Sequence, residues 1–378
     1  MEKENLRKRI DEIDEQFIQL LEERLDIARA IGEEKKGQGL PILDMARERE
    51  ILNRMAERAG DKNETYAKLV FSAILAASKN AQTHVYYKNE EKWEEKIAAA
   101  KKDAFPSRAD VACQGTEGAY SQQACDKLFP MARILYSSTF EGVFKAVETG
   151  LCKYGILPIE NSLAGSVSTV YDLMKKHKFY VVRSVRLKID HALLLPKGAK
   201  FSDIREVVSH EQAISQCSEF LQQHGEWKVT RFENTAAAAR FVAQSGRKDI
   251  AAIASRRCAA LYDLHIEREN VQNQSDNFTR FLCIAKDMEI YPGANKISLM
   301  LTLPNLPGAL FQLMAKISAM GMNVTKLESR PIPGRDFEFL FYFDIDADIT
   351  APGMAAFLEE ITRELETCQM LGAYAEMP

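Results

Sequence analysis

The spacing of apolar residues changes twice along this chain, and each change dictates a different kind of layer. Leu6, Ile10, Ile13, Phe17, Leu20, Leu21, Leu25, Ala28 and Ile31 recur at three- and four-residue steps, the period of a helix with one apolar face. Gly37 and the run Gly39-Leu40-Pro41 end that helix, Asp44 is placed to cap a second, and a third spans residues 64–86. Between about residues 110 and 285 the texture becomes short apolar runs, at 111–113, 154–157, 180–182, 206–208, 227–229, 250–253 and 278–285, alternating with amphipathic stretches. That is an α/β pattern, in which ligands gather at the carboxyl ends of strands. From residue 296 the order is strand 297–303, helix 308–320, strand 323–329, strand 337–345, helix 353–365 and strand 370–374, the βαββαβ or ferredoxin-like split motif.

The chain is therefore expected to be multidomain: all-α over residues 1–87, a charged connector over 88–108, a two-lobed α/β domain over 109–286 and an α+β module over 296–375. Its 378 residues exceed one ordinary core. Lys and Arg total 50 against 54 Asp and Glu, so no global basic field favours nucleic acid or an anionic membrane. No apolar run approaches the roughly 20 residues of a membrane span, and a cytoplasmic protein is expected. Seven scattered cysteines without a Cys-x-x-Cys pair, and six histidines without a His-Glu-x-x-His spacing, lead to an expectation of no disulfide, metal or other cofactor.

In the first helix Arg24 and Lys35 are eleven residues apart, close to a whole number of turns, so they share a face across roughly 16 Å. The second helix adds Asp44, Arg47 and Glu48, and the third adds Ser78 and Gln82 one turn apart. Each alone reads as a solvated helix face; together they can form an anion site. Arg7 lies seventeen residues before Arg24, roughly 25 Å along a continuous helix, too far for both to grip one small metabolite. It must serve another site, most simply the pocket of a partner chain in an interlocked homodimer.

In the segment Asn277-Phe278-Thr279-Arg280-Phe281-Leu282 a hydroxyl and a guanidinium interrupt an apolar strand. Alternation puts Thr279 with Phe281 and Cys283 on one face and Arg280 with Phe278 and Leu282 on the other. Thr279 is expected to face a ligand, and Arg280 to brace the strand from behind on an acidic partner.

The order and spacing of Leu6-Arg7, Arg24, Lys35, Asp44, Arg47-Glu48, Ser78 and Gln82 resemble the all-helical chorismate mutases. The resemblance implies that Arg7, Arg24 and Arg47 hold carboxylates, that Lys35 and Gln82 contact the ether oxygen, and that Asp44, Glu48 and Ser78 complete the pocket. Four ordered motifs, Gly115-Thr116-Glu117-Gly118-Ala119-Tyr120-Ser121, Pro158-Ile159-Glu160-Asn161-Ser162, the run from Ser209-His210-Glu211 to Gln216-Cys217, and Thr279-Arg280-Phe281, resemble prephenate dehydratases. There Thr279 would assist departure of hydroxide, and Asn161, Ser162, Ser209 and Gln216 would orient substrate. His210 reads more readily as a hydrogen-bonded core residue than as an acid. Glu211 stands where a proline is common in that family. Pro307-Gly308-Ala309-Leu310 and Leu327-Glu328-Ser329-Arg330-Pro331 resemble the amino-acid-binding ACT module, which implies feedback binding of phenylalanine at Gly308, Ala309, Leu310, Glu328, Ser329 and Arg330. The implied activity is conversion of chorismate through prephenate to phenylpyruvate. Two alternatives remain: a dehydratase acting on arogenate, whose ammonium Glu160 or Glu211 would hold, and a non-catalytic amino-acid sensor.

Overall fold

The structure, a computed structural model, describes residues 2–86, 92–332, 334 and 338–378; residues 88–91 of the expected connector and Phe337 of an expected strand lie outside the described residues. The first helical texture folds as α1 (Glu2–Gln38), α2 (Met45–Ala59) and α3 (Glu64–Tyr86). Asp44 does cap α2, its Oδ1 accepting from the Arg47 amide at 3.0 Å. Helices α1 and α3 meet closely at Gly32, where a Cβ would stand 2.8 Å from Gln82 Cα and 2.9 Å from its carbonyl oxygen. The amino-terminal half of α1 projects beyond these contacts, leaving Leu6 62% and Phe17 47% exposed.

The connector departs from expectation. Helix α4 (Trp93–Ala100) buries Trp93, Ile97 and Ala100 in one cluster with Leu313, Phe357 and Ile361 of the last domain. The spacing 93, 97, 100 is a helical stripe hidden inside a charge-dense sequence. The segment is therefore part of a core, not a spacer.

The α/β region builds two lobes. In chain order the first contains β1 (Asp110–Gln114), α5 (Tyr120–Leu128), β2 (Arg133–Ser137), α6 (Phe140–Glu148), β3 (Tyr154–Asn161), β4 (Gly165–Ser166), α7 (Ser168–Met174) and β5 (Tyr180–Lys188). The chain then crosses to the second lobe: β6 (Ala192–Pro196), β7 (Glu206–His210), α8 (Glu211–Gln216), α9 (Ser218–Gln222), β8 (Lys228–Phe232), α10 (Thr235–Gln244), β9 (Ile250–Ala254), α11 (Arg256–Leu261) and β10 (Leu264–Arg268). It returns through β11 (Phe278–Ala285), which lies antiparallel between β3 and β5. Strands β2, β6 and β10 fell outside the expected apolar runs. β2 and β10 are sheet edges, half open to solvent, and carry too little apolar signal.

The last domain is β12 (Lys296–Thr302), α12 (Ala309–Ala319), β13 (Asn323–Pro331), β14 (Phe339–Asp346), α13 (Met354–Glu364) and β15 (Cys368–Tyr374), with strand order β13-β14-β12-β15. Its helices cover one sheet face. The other face is not solvated: Tyr342, Leu371 and Tyr374 share a buried cluster with Phe144, Leu157 and Leu282 of the first lobe. Gly372 permits the approach, since a Cβ there would collide with the Val181 carbonyl oxygen. The chain then adds β16 (Glu376–Met377), parallel to β5, to the first lobe's sheet.

At this junction Arg280 is buried among carboxylates. Its Nη1 lies 3.0 Å from Glu160 and 2.6 Å from the fully buried Asp344, and its Nε lies 2.9 Å from Glu376. Nη2 donates to the Tyr374 hydroxyl at 2.9 Å. Burial works against the Arg280 charge, yet Tyr374 and Asp344 outweigh it and leave its pKa raised. Removing one partner of such a group strands a charge in low dielectric. Asp344→Ala is accordingly expected to lower stability by about 3–5 kcal/mol, read as a lower urea midpoint; an unchanged midpoint would mean that the cluster is solvated or repaired.

Candidate functional site

Two sites emerge, one in the helical domain and one between the lobes. In the first, α1, α2 and α3 enclose a cavity of about 370 Å³ lined by Arg24, Lys35, Asp44, Arg47, Glu48, Ser78 and Gln82, with Ile27, Ile31, Ile51 and Leu75 as its apolar wall. All the expected helical residues except Arg7 are thus brought together. Arg7 is exposed on the projecting end of α1 and does not line the cavity.

The geometry suits a small anion. Arg24 donates to the Ser78 hydroxyl, which in turn donates to the Ile74 carbonyl at 2.8 Å. Burial lowers the Arg24 pKa, the mark of a partly dehydrated cation. Lys35 Nζ donates to the Ile42 carbonyl at 2.7 Å, and Arg47 pairs with Glu50 at 2.7 Å. Gln82, in the cavity lining, has its Oε1 buried with no hydrogen-bond partner among the described residues, an unmet polar group. Lys79, a further cation of the lining, escaped the sequence reading because it follows Ser78 directly and a helical wheel places neighbours 100° apart.

The second site begins at the register of β3 and β11, where Thr279 stands opposite Asn161. Asn161 Nδ2 donates to Thr279 Oγ1 at 3.0 Å and to Asn277 Oδ1 at 2.6 Å. Because Thr279 accepts this bond, its own hydroxyl proton is left to point elsewhere. Asn277 Nδ2 donates to Gln216 Oε1 at 2.9 Å. Gln216 borders an open cleft of about 300 Å³ whose wall includes Gln212, Ser215, Gln272, Asn273 and Gln274. The cleft is rich in amides, groups that orient a ligand without carrying charge.

Two of the expected residues spend their hydroxyls on the backbone. Ser209 is fully buried on β7 and spends its proton on the Ile253 carbonyl at 2.6 Å, so it braces the second lobe's sheet instead of facing a ligand. Ser162 donates to the Asp276 carbonyl and accepts from the Phe278 amide, both at 3.0 Å, stitching the strand ends together. His210 caps α8 by accepting from the Gln212 amide at 3.3 Å. The acids offered for an ammonium are occupied: Glu211 pairs with Arg231, and Glu160 with Arg280 and Lys326.

In the last domain Gly308 adopts φ 86° at the start of α12, a conformation that suits glycine. Ser329 is exposed, whereas Glu328 accepts from the Ser166 hydroxyl at 2.7 Å and Arg330 pairs with Asp172 at 2.9 Å. Both charged side chains are therefore engaged with the first lobe. Asn277 and His191, both buried and joined to Gln216 behind the cleft, were not singled out by sequence, because each stands in an irregular crossing that no periodicity marks.

Comparisons with known proteins follow the same division. The chain matches the family described as chorismate mutase type II over residues 6–83 and that described as prephenate dehydratase over residues 111–289. It is 31% identical over 379 residues to the bifunctional chorismate mutase/prephenate dehydratase of Escherichia coli (strain K12), covering 98% of this chain and 95% of that one. It is 38% identical over 283 residues to the chloroplastic arogenate dehydratase/prephenate dehydratase 2 of Arabidopsis thaliana, covering 71% and 73%. A crystal structure described as prephenate dehydratase in complex with L-Phe, from Arthrobacter aurescens, is similar with a TM-score of 0.64 and 25% identity, covering 70% of this chain and 89% of that one. Another, described as GqqA, a novel type of quorum quenching acylase, has a TM-score of 0.64 and 31% identity, covering 71% and 98%.

The Glu160 clamp has a pH signature. Burial opposes its charge, but Lys326 and Arg280 prevail and hold the carboxyl below its ordinary value of 4.5. A depressed folded pKa contributes stability that is complete above the unfolded value and is lost as pH falls through the folded one. The urea midpoint is thus expected to hold down to about pH 5 and to fall below about 4.5, with a shallower acid slope in Glu160→Gln. An identical slope in that variant would remove Glu160 from the acid response.

Proposed function

The chain belongs to the family of bifunctional chorismate mutase/prephenate dehydratases, and from that premise we propose how its residues divide the work. It rearranges chorismate to prephenate and converts prephenate, with loss of carbon dioxide and water, to phenylpyruvate.

The rearrangement is pericyclic, so the protein need only fold a dianion and stabilise charge growing on the ether oxygen. Arg24 and Arg47 hold carboxylates, and Arg7 of a second copy completes the grip. Lys35 and the Gln82 amide face the ether oxygen, while Asp44, Glu48 and Ser78 fix the hydroxyl and ring. The observation that carries this reading is the gathering of these residues, Arg7 apart, around one cavity. The exposed apolar face of α1 and the distance of Arg7 support a homodimer through the helical domain.

Dehydration breaks the bond from the ring to its carboxylate, and that electron pair completes the aromatic ring as the ring hydroxyl departs. Thr279 donates a hydrogen bond to the departing oxygen, and the proton acceptor in its own bond, Oγ1, is held by Asn161. Asn161 and Gln216 orient the substrate. With Glu160 and Glu211 already paired, prephenate is favoured over arogenate, whose ammonium would need a free carboxylate.

The last domain acts as a ferredoxin-like ACT module that binds phenylalanine through the turn at Gly308, Ala309 and Leu310 and the strand at Glu328, Ser329 and Arg330. Similarity to a phenylalanine-bound dehydratase supports this. Strand β13 also engages the first lobe through Glu328 and Arg330, so a ligand that moves this strand alters the dehydratase, as feedback requires.

Purified protein given chorismate is expected to release phenylpyruvate, and less of it when phenylalanine is added. Lys35→Ala should abolish only the rearrangement, assayed as chorismate loss, and Thr279→Ala only the dehydration of supplied prephenate; loss of both from either change would mean one shared site. Gly32→Ala, which forces α1 from α3 at Gln82, is expected to lower mutase kcat by ~10²-fold while dehydration persists, and full mutase activity would show that the helices part without cost.

A further inference from the structure

From Gln216 at the dehydratase cleft back to Thr279, side-chain amides form a hydrogen-bonded chain whose direction is fixed at one end by the backbone. Asn161 Oδ1 accepts from the amides of Leu163 at 3.1 Å and Ala164 at 2.9 Å, so its Nδ2 must be the donating end. That nitrogen faces Asn277 at 2.6 Å, which makes the Asn277 atom the acceptor Oδ1 and its other end a donor. The donor meets Gln216 at 2.9 Å, so Gln216 presents Oε1. The same oxygen stands 3.0 Å from His191 Nε2. Since a carbonyl oxygen cannot donate, His191 carries its hydrogen on Nε2.

His191 is 2% exposed. Its Nδ1 lies 3.4 Å from the Tyr120 hydroxyl, whose proton goes to the Asp190 carbonyl at 2.6 Å. Burial lowers the ring pKa, in keeping with a neutral imidazole. The members of the chain come from every part of the domain: Thr279 and Asn161 from the first lobe, Gln216 from the second, and His191 and Asn277 from the two crossings between them. The crossings are themselves tied, by Ile189 N to Asn277 O at 2.8 Å and Val271 N to His191 O at 3.0 Å. The chain therefore closes only when both lobes are in register.

We propose that His191, as its Nε2–H tautomer, is a positioning residue for the dehydration: by donating to Gln216 Oε1 it holds in place the far end of the amide chain whose near end, Asn161 Nδ2, donates to Thr279 Oγ1 and leaves the Thr279 proton for the departing hydroxyl. The inference rests on the assignment of Thr279 to that oxygen. Without the ring N–H, Gln216 Oε1 keeps only its bond from Asn277, and the amide chain, whose direction the backbone still sets, loses the brace that seats its far end. The substrate still binds, since His191 is buried and does not line the cleft. The loss falls on kcat.

The full chain and the variants His191→Leu, His191→Gln and Thr279→Ala would be assayed with prephenate for kcat and KM, and with thermal unfolding for integrity. His191→Leu is expected to lower kcat by ~10²-fold with KM within about twofold, and His191→Gln, whose side-chain N–H can replace Nε2–H, to recover most of it at a similar melting temperature. Long-range nitrogen NMR of the His191 ring in the ligand-free protein should show hydrogen on Nε2 alone. Wild-type kcat in His191→Leu beside an inactive Thr279→Ala would overturn the positioning role and spare that of Thr279. A fully active Thr279→Ala would overturn both. A ring protonated on Nδ1, or a His191→Gln no better than His191→Leu while folded, would also overturn the proposal.

Discussion

Strand β11 has two faces that cannot be altered independently, and the dehydratase half of the molecule is organised by that fact. Successive residues of a strand point in opposite directions. Thr279 therefore meets Asn161 on one face while Arg280, one residue on, looks into the junction with the last domain. Arg280 is buried and must be surrounded by acceptors, and the surrounding groups come from β3, β14, β15 and the segment after it. The need to neutralise one guanidinium thus holds two domains against the strand that also carries Thr279.

Much of this was legible in the residues. The helical period marked three helices, the alternation at 278–285 separated Thr279 from Arg280, and an acidic partner for the latter followed from burial alone. Helical spacing put Arg24 with Lys35 and Ser78 with Gln82 on shared faces, and the resemblance to the all-helical chorismate mutases joined them with Asp44, Arg47 and Glu48 into the set that lines the cavity. The rest depended on contacts that sequence separation conceals. The stripe 93, 97, 100 was masked by surrounding charge, the fully buried Ser209 looks in sequence like any serine at a strand end, and His191 gains meaning only from an amide chain assembled from four distant segments.

The two sites solve opposite problems. The helical cavity gathers charge, with cations from α1, α2 and α3 around a small apolar pocket, as a reaction that needs only electrostatic and conformational help would require. The cleft gathers amides, and the acids Glu160 and Glu211, each next in sequence to a residue of that neighbourhood, are paired with cations. Orientation by neutral donors suits a step in which anionic carbon dioxide precursor and leaving hydroxyl must both be held without being over-stabilised.

The insertion of β11 between β3 and β5 has a consequence for synthesis. The whole second lobe lies in sequence between β5 and β11. On the ribosome, β3 and β5 emerge with facing edges unsatisfied and stay so while the second lobe is made. The first lobe is thus the earlier to be translated and the later to be finished. Its incomplete sheet is the form of this chain most exposed to wrong pairing, which makes the nascent polypeptide, more than the mature enzyme, the point at which chaperones would act.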